Sequence, residues 1–225
     1  MQHFKYYSSR SCLFVWFVVM PLLLCSCFGV KADISIRADG SGKLALEYRV
    51  SQMVEALGRL DGNERWQTIP LGRADFERSM ARLPMLRLSS FSTTQDNRDI
   101  INRAELEFRN IEDLLAFLDP SGAGKYGTFS RENGTSRLTL ILAESQPDID
   151  PDLLSLVKEI SAGYSLSFSL SAAGIAELFL TDSEGNAAAL PDSVSLVSRG
   201  RNVSVSIDTG EIFALADGMS LEFTW

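Results

Sequence analysis

The chain has 225 residues, 45% of them hydrophobic, and a formal net charge of −8. That is enough apolar material for one good-sized core, and the acidic balance disfavours nucleic acid or an anionic lipid surface held by charge. The single histidine, His3, and all three cysteines, Cys12, Cys25 and Cys27, fall within the first 27 residues. The body that follows therefore cannot carry a disulfide, a Ser-His-Asp or Cys-His centre, or a Cys/His zinc site.

The opening segment has the grammar of an export signal. Lys5 and Arg10 form a basic head, and Leu13–Leu24 (LFVWFVVMPLLL) an apolar core interrupted by Pro21. That core is shorter than the about 20 apolar residues a membrane span needs. Leu24-Cys25-Ser26-Cys27 then reads as a lipobox, with small Ser26 ahead of Cys27. It predicts a signal peptide of residues 1–26, acylation of Cys27 and a body tethered to a membrane. A second cut is open, after Val30-Lys31-Ala32, and would release a free secreted protein. The leader holds two of the 21 basic residues and none of the 29 acidic ones, so the body is more acidic than the whole chain.

Ile34 and Ile36 begin a period-2 pattern that continues, past the turn residues Asp39-Gly40-Ser41-Gly42, through Leu44, Leu46, Tyr48 and Val50. This predicts two half-buried antiparallel strands joined as a hairpin. Residues 52–60 and 73–83 carry apolar groups at helical spacing, and Pro84 stops the second run. Met85–Thr93 and Asp99–Phe108 read as strands around a polar turn, with Ala104, Leu106 and Phe108 facing in. Asn110 caps a helix over Ile111–Leu118, where Glu112 and Asp113 suit the positive N-terminal end. Asn133-Gly134 marks a hairpin between Tyr126–Phe129 and Leu138–Leu142. Asp150-Pro151 opens a helix running to about Ile160. Beyond Gly163 the chain turns β-rich. Tyr164–Leu170 and Val203–Ile207 alternate apolar residues with serine, and Ala176–Thr181, Ser193–Ser198 and Leu221–Trp225 are further strands.

Several short patterns resemble chemical sites and are better explained by structure. Asp148, Asp150, Asp152 and Glu159 mimic a calcium loop, but Leu153 stands where the sharp turn needs glycine, and a helix N-cap accounts for the same residues. Ser155-Leu156-Val157-Lys158 has Ser-x-x-Lys spacing without the companion motifs of penicillin-binding enzymes. Gly122-Ala123-Gly124-Lys125 lacks phosphate-loop spacing. Glu105 and Glu107 share a strand face, the ordinary outcome of alternation on a half-exposed strand. No catalytic, cofactor-binding or metal-binding residue is assigned, and the chain is expected not to be an enzyme.

Taken with the lipobox, Ile34–Gly42 (ISIRADGSG) leading into an alternating strand resembles the opening of LppM-type bacterial lipoproteins. Ala104–Leu114 (AELEFRNIEDL) is similar to that family's strand and short helix, and the β-rich close ending on Trp225 fits as well. Those proteins typically carry a membrane span after the domain, and none follows Trp225. The resemblance implies an envelope-exposed α+β module in contact with lipids or glycolipids, and supplies no catalytic residues.

The expected fold is α+β: an antiparallel sheet with hairpins, three or four short amphipathic helices and a β-rich C-terminal portion. Residues 27–225 are expected to form one domain, with 163–225 as a candidate β-rich subdomain. The expected role is a non-catalytic lipoprotein of the bacterial cell envelope, anchored through Cys27 on the extracytoplasmic side, periplasmic or at the surface. It would bind an apolar or lipid ligand or an envelope protein. Tyr48, Phe108 and Phe168, aromatics on inward strand faces, are the candidate lining residues. The alternative is an assembly factor that pairs with another envelope protein at a sheet edge, for which the C-terminal strand is the expected edge.

Overall fold

Alternation of apolar and polar residues produces most of this fold, and the computed structural model describes it over residues 28–53, 72–119, 126–143, 150–172, 177–181, 192–212 and 219–225. Strands β1 (Phe28–Ile36) and β2 (Gly42–Ser51) form the expected hairpin. In its turn Gly40 takes a positive φ of 85°, where a side chain would be strained. Asp39 accepts from the Ser41 amide (3.0 Å) and hydroxyl (2.7 Å). These two bonds hold its carboxyl below the usual carboxylate range. Helix α1 (Arg73–Arg82) leads into β3 (Leu86–Gln95) and β4 (Asp99–Phe108). Helix α2 (Ile111–Leu118) follows, with Asn110 accepting the Asp113 amide at 2.8 Å.

Strands β5 (Gly127–Glu132) and β6 (Thr135–Ala143) flank Asn133-Gly134, both at positive φ, as the tight hairpin turn requires. Helix α3 (Pro151–Ile160) is capped by Asp150, which accepts from the Asp152 and Leu153 amides. The N-cap explanation of the aspartate pair therefore holds. The C-terminal portion contributes β7 (Ser165–Ser171), β8 (Glu177–Thr181), β9 (Val194–Arg199), β10 (Asn202–Asp208), a single helical turn α4 (Thr209–Ile212) and β11 (Met219–Thr224). Of the helix expected over 52–60, only Gln52 and Met53 are among the described residues.

Two sheets result. The first has seven strands in the order β3-β4-β2-β1-β7-β10-β9, and the second four in the order β5-β6-β11-β8. Among the described strands all pairings are antiparallel except β1 with β7, which run parallel with Ala32 opposite Phe168 and Ile34 opposite Leu170. Strands after residue 163 thus enter both sheets. The architecture is α+β, with strands predominantly antiparallel.

The core lies on one face of the seven-stranded sheet. Ile34, Leu44, Leu46, Leu106, Leu170 and Val203 point into it and are almost completely buried. Phe76 of α1 fills its centre, with ring centroids 6.2 Å from Tyr48, 5.5 Å from Phe91 and 6.2 Å from Phe117. Leu114 of α2 and Leu138, Leu140 and Phe223 of the second sheet complete the same cluster. The opposite face carries the serines of β7 and β10, with Ser167 and Ser206 sharing a hydrogen bond at 2.8 Å, and the charged groups of β1, β2 and β4.

Two expectations need correction. The C-terminal strand is not a sheet edge. β11 is hydrogen-bonded to β6 on one side and β8 on the other, because Leu221 and Phe223 alternate within a strand whose two neighbours arrive from distant parts of the chain. Strand β1 also begins at Phe28, not at Ile34. Phe28–Ala32, which precede the alternation beginning at Ile34, belong to the sheet as well.

Candidate functional site

The start of β1 is tied to three other parts of the fold. Phe28 pairs with Val50, stacks on Tyr48 with centroids 5.8 Å apart, and accepts the Thr209 hydroxyl on its carbonyl at 3.2 Å. Gly29 is buried, and a Cβ there would touch Tyr164 and the Ser165 backbone. The Tyr164 hydroxyl donates to buried Asp99 at 2.6 Å, the Arg98 guanidinium lies 4.8 Å from the centre of the Tyr164 ring, and Arg98 donates to the Ala162 carbonyl at 3.1 Å. Burial first, then the bond to Asp99, pushes the Tyr164 phenol above its ordinary range. This fastener joins the β3–β4 hairpin to the α3–β7 connection beside Phe28. Sequence patterning missed it, because Asp99 and Tyr164 are 65 residues apart and neither lies in a motif.

Cys27, the predicted lipid-bearing residue, lies outside the described residues, one peptide bond before Phe28. Tyr48, Phe108 and Phe168, the predicted ligand-lining residues, all sit on the inward face. Tyr48 and Phe108 are buried members of the core, and Phe168 packs half-buried against it. Burial pushes the Tyr48 phenol upward. The structure brings these three onto one face, as members of or neighbours to the same hydrophobic core.

An open cavity of about 490 Å³ lies instead on the polar face, across β4, β2, β1, β7 and β10. Asp33, Lys43, Glu105, Ser171, Asn202 and Ser204 line it. Lys43 pairs with Glu107 at 3.4 Å, and Lys31 with Asp33 at 3.2 Å. These are half-exposed pairs of the kind that stabilise little. On the same face Glu47 is pushed up by burial, but hydrogen bonds from Arg49 and Arg103 outweigh that and hold it below the usual carboxylate range. The cavity thus offers hydroxyls, an amide and charges of both signs, suited to hydrogen-bonding a polar ligand or surface.

Among the other motif residues, Lys158 of the Ser-x-x-Lys pattern is engaged by Glu211 at 2.9 Å, which makes it a tie between α3 and α4. Gly122–Lys125 and Asp148 lie outside the described residues. Among the described residues no group of His, Cys, Asp and Glu is placed to hold a metal ion, and no helix is long and apolar enough to cross a membrane.

The described residues form an α+β fold of two sheets whose buried side chains share a hydrophobic cluster. It is similar to a solved structure, the NMR structure of the Mycobacterium tuberculosis LppM folded domain. The two are 12% identical in sequence, the match covers 88% of each chain, and the TM-score is 0.46. No family model and no curated protein matches the chain.

Proposed function

We propose that this protein is a non-catalytic lipoprotein of the bacterial cell envelope, cut before Cys27, acylated on that thiol and held on the extracytoplasmic side. The observation that carries this reading is the position of β1. Phe28–Ala32 belong to this strand, all five pairing with β2 and Val30–Ala32 also with β7. Cleavage before Cys27 leaves that strand whole. Cleavage after Ala32 would remove Phe28–Ala32 from the middle of the seven-stranded sheet, so the folded body supports the lipobox and weighs against the second cut.

What the tethered domain recognises follows from which face is open. Core packing occupies the inward aromatics, whereas the cavity on the serine-rich face is accessible. A ligand or envelope partner is therefore met there by hydrogen-bonding and charged groups. The second reading, an assembly factor working through protein contacts, is favoured by one observation. Among the described strands β9 lies at an end of the seven-stranded sheet, an edge to which a partner's strand could add through backbone hydrogen bonds.

The test is palmitate incorporation and intact mass for the wild type and Cys27→Ala, produced in a lipoprotein-competent bacterium. Acylation that disappears in Cys27→Ala is the expected result. An unacylated wild type beginning at Asp33 would overturn the reading. Native mass spectrometry of the membrane-extracted protein separates a co-purifying small ligand from a stoichiometric protein partner.

A further inference from the structure

We propose that the end of the seven-stranded sheet where β1 begins rests directly on the lipid bilayer, so that strand pairing, not a flexible tether, sets the domain's orientation. This rests on the reading that Cys27 bears the lipid.

Cys27 is one residue from Phe28, and consecutive Cα atoms are about 3.8 Å apart. Phe28 is no loose tail, being tied to Val50, Tyr48 and Thr209, and Gly29 is closed in by Tyr164 and Ser165. A lipid on Cys27 therefore brings the first rung of the sheet to headgroup level.

The strand register says what else arrives there. Phe28 is level with Val50, which is level with Ile100. Ser51 and Asp99 form the next rung outward, and the Gln52–Met53 segment and the Asp96–Arg98 turn lie beyond it. Both overhang the start of β1. The turn is held in place. The Asp96 carboxylate accepts the Arg98 and Asp99 amides at 2.8 and 2.7 Å, and the Gln52 amide donates to the Arg98 carbonyl at 3.0 Å. Met53 is 72% exposed beside it. These groups would meet the bilayer together with the α3–β7 connection at Tyr164 and the α4 turn at Thr209, which lie at the same end of the sheet.

The cavity lies toward the other end. Its β1 lining runs from Asp33 to Ser35, five to seven steps beyond Phe28, which at roughly 3.3 Å per residue is about 16 to 23 Å. The cavity would thus stand clear of the headgroups, open to the aqueous side. Charge contributes little to the seating, since the body is acidic and an anionic surface would repel it. The covalent anchor and the missing linker impose it.

The mature body contains no cysteine other than the acylated one, so a single introduced cysteine takes a fluorophore selectively. The full chain carrying Asn97→Cys (overhanging turn) or Arg201→Cys (opposite end) would be produced in a lipoprotein-competent bacterium. The labelled proteins would be placed in phosphatidylethanolamine–phosphatidylglycerol vesicles containing a nitroxide-headgroup lipid. The expected result is several-fold stronger quenching at residue 97 than at 201, lost when a flexible Gly-Ser segment is inserted between Cys27 and Phe28. Met53→Cys repeats the measurement from the neighbouring segment should Asn97→Cys disturb the turn. Equal quenching at both ends of a palmitate-bearing protein would overturn the orientation and leave the anchor standing. A wild type without palmitate would overturn the anchor, and the orientation with it.

Discussion

A chain that begins at Asp33 should not fold, whereas one that begins at Phe28 should. The perturbation removes five of the nine residues of β1. Lost with them are the partly buried side chains of Phe28 and Val30 and the buried Ala32, together contributing roughly 4 kcal/mol of apolar burial at about 25 cal/mol per Å². The strand is interior, so β2 loses its partners along all five residues and β7 along Val30–Ala32. At about 1 kcal/mol net per hydrogen bond, a further loss of roughly 5 kcal/mol follows. The sum, on the order of 10 kcal/mol, equals the whole stability of an ordinary domain. Both chains can be made in the cytoplasm without a signal and compared by circular dichroism and urea denaturation. A cooperative transition for the Phe28 chain and none for the Asp33 chain is the expected result. Equal midpoints would refute the assignment of Phe28–Ala32 to the sheet, and remove the main support for cleavage before Cys27.

Gly42→Ala should destabilise the domain by about 3 kcal/mol or more, the upper range for overpacking. An added Cβ would collide with the Ser35 carbonyl and the Phe108 ring, and urea midpoints measure the loss. Alkaline pH provides another prediction. Both Tyr48 and Tyr164 have phenols raised above their ordinary range, chiefly by burial, so the folded state favours the neutral forms. Their contribution is complete below the unfolded tyrosine value of about 10 and is lost as pH rises beyond it. Tyr48→Phe and Tyr164→Phe should each flatten the fall in stability above that pH, followed by denaturation at stepped pH. An unchanged alkaline slope in both would show that other groups set it. Tyr164→Phe should also lower stability near neutrality by roughly 1–3 kcal/mol, because buried Asp99 loses its hydroxyl donor.

Much of this protein was legible along the chain, for a physical reason. Hairpins and capped helices are short-range objects whose signals are local. Asn133-Gly134 needs only its own backbone preference to turn, and Asp150-Pro151 its own cap geometry. Period-2 alternation likewise assigned Leu44, Leu46 and Leu106 to the core, and the restriction of histidine and cysteine to the first 27 residues was plain from the outset. Long-range pairing has no such local signal. That β1 lies beside β7, about 130 residues away, in a parallel pairing depends on which apolar faces bury one another. So does the flanking of β11 on both sides, which no feature of Leu221–Trp225 announces. The same holds for Phe28–Ala32, because small and β-branched residues suit a peptidase and a buried strand equally well. Only the tertiary structure, by supplying β2 beside all five residues, β7 beside Val30–Ala32 and a ring against Phe28, places these residues in the sheet.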